Sequence, residues 1–93
     1  MFKCRLEMYG LPPEITPLRA IELELRDGAT MAEVIAALKE KIPSLEGTVI
    51  RRGENRLEEL YKFNVNGHFY FDGMDFQLHQ GDRIALLVPA TGG

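Results

Sequence analysis

The residues best suited to chemistry lie together at 89–93. They read Pro89-Ala90-Thr91-Gly92-Gly93 and directly follow the apolar run Arg83-Ile84-Ala85-Leu86-Leu87-Val88. The reactive group they offer is not a side chain but the α-carboxylate of Gly93. Glycine has no Cβ, so a narrow channel can close around its backbone, and it reaches φ/ψ regions denied to other residues. A carboxylate is a poor electrophile at neutral pH. It must first be activated, most simply as an acyl-adenylate made with ATP, after which a sulfur or nitrogen nucleophile can attack the unhindered carbonyl. Extended at about 3.4 Å per residue, the arm from Pro89 to Gly93 reaches roughly 17 Å. That is enough to place Gly93 inside another protein while a globular body stays outside. The plain alternative is that the glycines are incidental, since polar tails are common at domain ends.

Other candidate residues offer less. His68 lies in a hairpin turn and His79 just before another. Neither has a Cys or Ser nearby in sequence to form a nucleophile pair, so both read as solvated turn histidines. Asp72 and Asp75 could pair as carboxylates or hold a metal, but turns favour Asp for local reasons, and no metal site is expected. Gly67, Gly73 and Gly81 read as turn residues rather than a phosphate cradle, because no Gly-rich run precedes the helix. Cys4 is the one cysteine. It cannot form an internal disulfide or a thiolate metal cage, and at an apolar strand position it reads as a buried, inert thiol.

The bulk properties set the frame. Ninety-three residues make one domain with one modest core, here a body at 1–88 and an arm at 89–93. With 45% apolar and 27% charged residues, the chain reads as soluble. No run approaches the roughly 20 apolar residues of a membrane span. The start, Met1-Phe2-Lys3-Cys4-Arg5-Leu6-Glu7, lacks the apolar block of a secretory signal, which predicts a cytoplasmic protein. The formal charge is −3, and the basic cluster Arg51-Arg52 with Arg56 is diluted by Glu54, Glu58 and Glu59. This is not the footprint of a nucleic-acid binder, and the cluster reads as a solvated loop.

The arm needs elements to carry it. Phe2, Cys4, Leu6 and Met8 alternate against Lys3, Arg5, Glu7 and Tyr9, which predicts a half-buried strand. Gly10 to Glu14 opens a wide loop. Arg19 to Leu25 alternates again, completing a hairpin. Thr30-Met31-Ala32-Glu33 is a capping box, and Val34, Ile35, Leu38 and Ile42 share one face of a helix that Pro43 stops. Residues 44–60 give scattered anchors at Leu45, Val49, Ile50, Leu57 and Leu60, with one short helical turn expected around Arg56 to Leu60. Phe63 and Val65 mark another strand. Asn66-Gly67 signals a type I′ hairpin into Phe69 to Phe71. Asp75 to Leu78 is expected to be a brief turn that carries Phe76 and Leu78 inward. The last strand spans Arg83 to Val88, with Ile84, Leu86 and Val88 inward and Ala85 and Leu87 outward. One helix can cover one sheet face, and it lets the last strand lie parallel to the first.

This order, the segment from Gly81-Asp82 to Gly93, the Val65-Asn66-Gly67 hairpin and the ending Val88-Pro89-Ala90-Thr91-Gly92-Gly93 resemble the ubiquitin-like β-grasp sulfur carriers. The small subunit of molybdopterin synthase and the thiamin sulfur carrier are members of that group that the chain resembles. The resemblance implies an α+β fold, with a mixed four- to five-stranded sheet packed on one main helix and a flexible Gly-Gly tail. It implies that an E1-like enzyme adenylates Gly93 with ATP and magnesium, that a sulfur donor protein converts it to a thiocarboxylate, and that a synthase subunit accepts the sulfur. The chain itself is then no enzyme and binds no cofactor. Pro89, Ala90, Thr91 and Gly92 would lie in the partner's channel. Leu87 and Ala85, with Tyr70 and Asn64, are the candidate docking residues on the open sheet face. Two alternatives stand beside this: a ubiquitin-like modifier joined through Gly93 to lysine, and an unreactive β-grasp interaction module.

Overall fold

The computed structural model describes residues 1–88. Strands β1 (Phe2–Tyr9) and β2 (Ala20–Leu25) form the first hairpin, and β3 (Ala29–Thr30) leads into helix α1 (Met31–Lys41). After a 3₁₀ turn at Pro43–Leu45 come β4 (Lys62–Val65), β5 (His68–Tyr70), β6 (Gln77–Leu78) and β7 (Ile84–Leu87). The main sheet has five strands in the order β2-β1-β7-β4-β5, and β3 pairs with β6 in a second, two-stranded sheet. The central β7 lies parallel to β1 and antiparallel to β4. It is therefore held along both edges. The fold is the expected α+β arrangement, with one helix covering one face of a mixed sheet.

Alternation explains the layers. Cys4, Leu6 and Met8 of β1, Leu23 and Leu25 of β2, Phe63 and Val65 of β4, and Ile84 and Leu86 of β7 are all buried. Helix α1 lays Met31, Val34, Ile35 and Leu38 onto them. The helix starts where the capping box predicts: the Thr30 hydroxyl accepts from the Glu33 amide while the Glu33 carboxylate accepts from the Thr30 amide. Asp75 adds a cap from a distant part of the chain, accepting from the Met31 amide at 2.9 Å and from the Phe76 amide at 2.8 Å. The ring of Phe76 meets Phe63 edge-on at 5.7 Å and Tyr70 at 5.3 Å.

Three expectations are corrected here. The short helical turn falls at Pro43–Leu45, not around Arg56 to Leu60, and Leu60 is exposed rather than an anchor. Proline's fixed φ suits the first position of the new turn. Leu45, Val49, Ile50 and Leu57 form the real anchors, each wholly buried. Their backbone is paired across the segment, Glu58 N–H to the Val49 carbonyl at 2.8 Å and Arg51 N–H to that of Arg56 at 2.8 Å, as burial demands. Second, the basic cluster is not simply solvated. Arg51 and Arg56 both donate to Asp72, at 3.3 and 2.7 Å, and the Arg56 guanidinium, more than Arg51, holds the Asp72 carboxyl below its usual range. Third, the brief turn at Asp75–Leu78 contains a strand, β6, because Leu78 pairs with Ala29 and Gln77 with Thr30. Phe76 and Leu78 do reach the core.

Candidate functional site

The outer face of the sheet, opposite α1, gathers the candidates. Register makes them into rows. Tyr9 pairs with Leu87, and Leu87 with Lys62. The next row runs from Glu7 to Ala85, to Asn64 and to Phe69. Tyr9, Phe69 and Phe71 are each about half exposed, at 54%, 51% and 50%. The Lys62 ammonium sits 5.8 Å from the centre of the Phe71 ring, within cation–π range. Leu87 and Ala85 are half-buried between these neighbours. A groove of about 890 Å³ runs along β1 and β7, lined among others by Arg5, Glu7, Tyr9, Asn64, Ala85 and Leu87.

This surface surrounds the point where the chain leaves the sheet. Val88 still donates its N–H to the Tyr9 carbonyl at 3.4 Å. Gly10 sits beside it at φ +76°, and a Cβ built there would lie 3.6 Å from the Val88 Cβ. The residues named for chemistry, Gly93, Gly92, Thr91, Ala90 and Pro89, lie outside the described residues.

One of the predicted docking residues, Tyr70, lies on the other face. Tyr70 pairs with Phe63, whose side chain is fully buried, so Tyr70 shares the inner face and packs on Phe76. A two-residue turn at Asn66-Gly67 sets Asn64 opposite Phe69 and Phe63 opposite Tyr70; Asn64 and Tyr70 therefore cannot share a face. Asn64 does face outward with Ala85, but its side-chain oxygen accepts from the Gly67 amide at 2.9 Å and is committed to the turn. The aromatic residues that sequence reasoning missed on this face are Phe69, Phe71 and Tyr9. The signal was present: the same turn arithmetic puts Phe69 outward, and alternation puts Phe71 with it.

The start of β7 is fixed as firmly as its flanks. Asn66 and Gly67 have φ of +52° and +92°, as a type I′ turn requires. The Asn66 side chain accepts from the Arg83 amide at 2.9 Å and donates to Asp82 at 3.0 Å. Asp82 also accepts from the His79 amide at 2.8 Å. These bonds, the His79 amide first, hold the Asp82 carboxyl below its ordinary range. The rows differ in polarity along the strands. The Tyr9–Leu87 end is largely apolar, while the other end carries Lys3 and Arg5, paired at 3.8 Å with Glu22 and Glu7 respectively. The Tyr9 hydroxyl donates to Glu7, which raises its pKa.

The remaining titratable residues are placed plainly. Cys4 is buried, and burial pushes its thiol above the usual range. His68 is exposed on β5, and His79 is exposed with its Nδ1 2.9 Å from Asp27. Asp72 and Asp75 serve the two arginines and the helix cap described above. Among the described residues, no group of three His, Cys, Asp or Glu side chains could hold a metal ion. No helix among them is long and apolar enough to cross a membrane. What the described side chains assemble around the end of β7 is a partly exposed aromatic and apolar surface beside Lys62.

Comparison with known proteins gives the chain a family. The model of the ThiS family matches residues 8–93. Small archaeal modifier protein 3 of Haloferax volcanii is 26% identical over 88 residues, covering 95% of this chain and 96% of the relative. Among solved structures, SAMP1 of Haloferax volcanii superposes with a TM-score of 0.77 at 23% identity, covering 99% of this chain and 100% of that one. A Pyrococcus furiosus protein assigned as molybdopterin converting factor, subunit 1, gives a TM-score of 0.72 at 18% identity, covering 97% and 100%. At these identities the structures establish a shared β-grasp fold.

Proposed function

We propose, from the premise that this chain belongs to the ThiS family, that it is a sulfur carrier acting through the carboxylate of Gly93. The observation that carries the proposal is an alignment of parts. The family match runs through Gly92-Gly93, and the strand just before them, β7, is gripped on both edges and ends on the Tyr9, Leu87, Lys62 and Phe71 surface. A rigid base and an apolar collar suit a body that must dock while an arm, residues 89–93, enters a partner.

In this reading the body supplies binding and the partners supply chemistry. An E1-like enzyme uses ATP and magnesium. The Gly93 carboxylate attacks the α-phosphorus, pyrophosphate leaves, and an acyl-adenylate remains. Sulfur at the sulfide level, delivered by a donor protein, then attacks the acyl carbon and displaces AMP to give a thiocarboxylate, which a synthase subunit consumes in making a molybdopterin-type or related cofactor. Pro89, Ala90, Thr91 and Gly92 line up in the partner's channel, and Leu87 and Ala85 dock with Tyr9, Phe69 and Phe71. The chain is a carrier and not an enzyme, and it works in the cytoplasm. A relative named as a modifier protein favours a second reading, in which the same activated Gly93 is taken by a lysine amine to form an isopeptide bond.

Intact-mass analysis of the protein from its own cells separates the readings. A carrier shows a fraction with sulfur in place of one carboxyl oxygen. A modifier shows lysine adducts ending in Gly-Gly. Finding neither under conditions that demand the cofactor contradicts both.

A further inference from the structure

Among the described residues, strand β2 is the outermost of the main sheet, and β1 is its one ladder partner. Among the described residues, no backbone or side-chain hydrogen bond outside that ladder reaches Ala20–Leu25. Its far edge therefore presents alternate N–H and C=O groups without a partner among the described residues, a template for another strand. Beside this edge, between β2 and α1, lies a groove of about 630 Å³ lined in part by Leu23, Ala37, Glu22, Glu24 and Glu40.

The partner already seated on the other side of β2 shows what suits it. Strand β1 sets Lys3 opposite Glu24 and Arg5 opposite Glu22 on the outer face, with Cys4 opposite Leu23 and Leu6 opposite Ile21 on the inner face. β2 is thus read by a strand of alternating basic and apolar residues. The groove beside its free edge carries the same two glutamates, with Glu40 of α1 as a third carboxylate; Lys41 and Lys3, the latter 3.8 Å from Glu22, are the two cations there, so the carboxylates outnumber them by one. A second copy of this chain does not suit the edge. In the central face-matched antiparallel registers, two β2 strands set Glu22 against Glu24 or a glutamate against itself, which is repulsive.

We infer that the β2 edge binds an extended segment of another protein with Lys or Arg at alternating positions and apolar residues between them, adding a sixth strand to the sheet. The apolar residues enter the groove over Leu23 and Ala37, and the basic residues lie over Glu22 and Glu24. Glu22 and Glu24 pair with Arg5 and Lys3, several rows from the Tyr9–Leu87 pair, so this interaction does not depend on the proposed function of Gly93. A protein can be held here while the arm is engaged elsewhere.

The test is an NMR titration of the full chain with a capped Lys-Val-Arg-Val-Lys peptide at millimolar concentration, against capped Glu-Val-Glu-Val-Glu. The expected result is shift changes and slowed exchange at alternate amides of Ile21–Leu25 and shifts at Ala37, with the basic peptide only. Charge reversal at both glutamates, E22K with E24K, should weaken the basic peptide about fivefold, the worth of two cross-strand charge pairs, and admit the acidic one. The milder Glu22→Gln variant should weaken it about twofold if the double variant does not fold. No shifts at millimolar peptide, equal response to both peptides, or shifts centred on Tyr9 and Leu87 would overturn the inference; the glutamates would then serve only to keep the edge from aggregating.

Discussion

The two faces of the main sheet are written in the same strands, one residue apart, and they do opposite work. The inner face is apolar and closed: Leu6, Leu23, Phe63 and Leu86 have 0 or 1% of their surface exposed. The outer face keeps three aromatic residues about half exposed beside Leu87 and Lys62. Folding accounts for the first set. Stability does not account for the second, because leaving Tyr9, Phe69 and Phe71 about half in water forgoes roughly 1 kcal/mol of burial each. The proposed docking surface thus uses residues that the core leaves free, next to β7.

The sharpest way to break the comparison is a matched pair of truncations. Phe63→Ala removes a fully buried ring that packs on Phe76. It should cost about 3–5 kcal/mol in denaturant unfolding. Phe69→Ala, one residue across the hairpin ladder but on the outer face and about half exposed, should cost only about 1 kcal/mol. It should, however, weaken docking to the activating enzyme at least severalfold. If Phe69→Ala destabilises as much as Phe63→Ala, the division of faces is wrong.

An effect of middle size is expected at Asp75. Its carboxylate caps α1 through the Met31 amide and holds Phe76 in the core. Asp75→Ala should lower stability by about 1 kcal/mol, seen as an earlier urea midpoint, with docking unchanged. An Asp75→Ala variant as stable as the parent would show that Thr30 alone suffices as the cap.

The smallest expected effect is electrostatic. Arg26 donates to Glu33 at 2.6 Å and, with the Thr30 bonds, lowers its pKa from 4.5 to about 2. A depressed carboxyl contributes stability above its unfolded pKa and loses it as pH falls through the folded one. The contribution should therefore be full at neutral pH and fade from about 4.5 down to about 2. Glu33→Gln should remove that part of the acid branch, so that parent and variant converge near pH 2. The pair is exposed and added salt should shrink the difference. Parallel pH–stability curves for parent and variant would contradict the pairing.

Much of this was legible in the sequence where the cause is local. Alternation marked β1, β2, β4 and β7, and Thr30 with Glu33 marked the start of α1. The type I′ signal at Asn66-Gly67 fixed the β4–β5 register, and following it through would have turned Tyr70 inward and Phe69 outward. Segment 44–60 was not legible because its order is non-local. Arg51 and Arg56 close on Asp72, 21 and 16 residues away, and Val49 and Leu57 are buried without any period. The β3–β6 pair is two residues long and joins Ala29 to Leu78, too short for periodicity to register. The Asp75 cap joins residues 44 apart, which no spacing rule anticipates.

The central claim concerns a single carbonyl. The measurement that reaches it most directly is transfer of radiolabelled AMP from ATP to the full chain by its activating enzyme, compared with a chain lacking Gly93. The account predicts a label on the full chain that sulfide releases as AMP with formation of a thiocarboxylate, and no label on the shortened chain, which folds normally. Equal labelling of the two chains would contradict it.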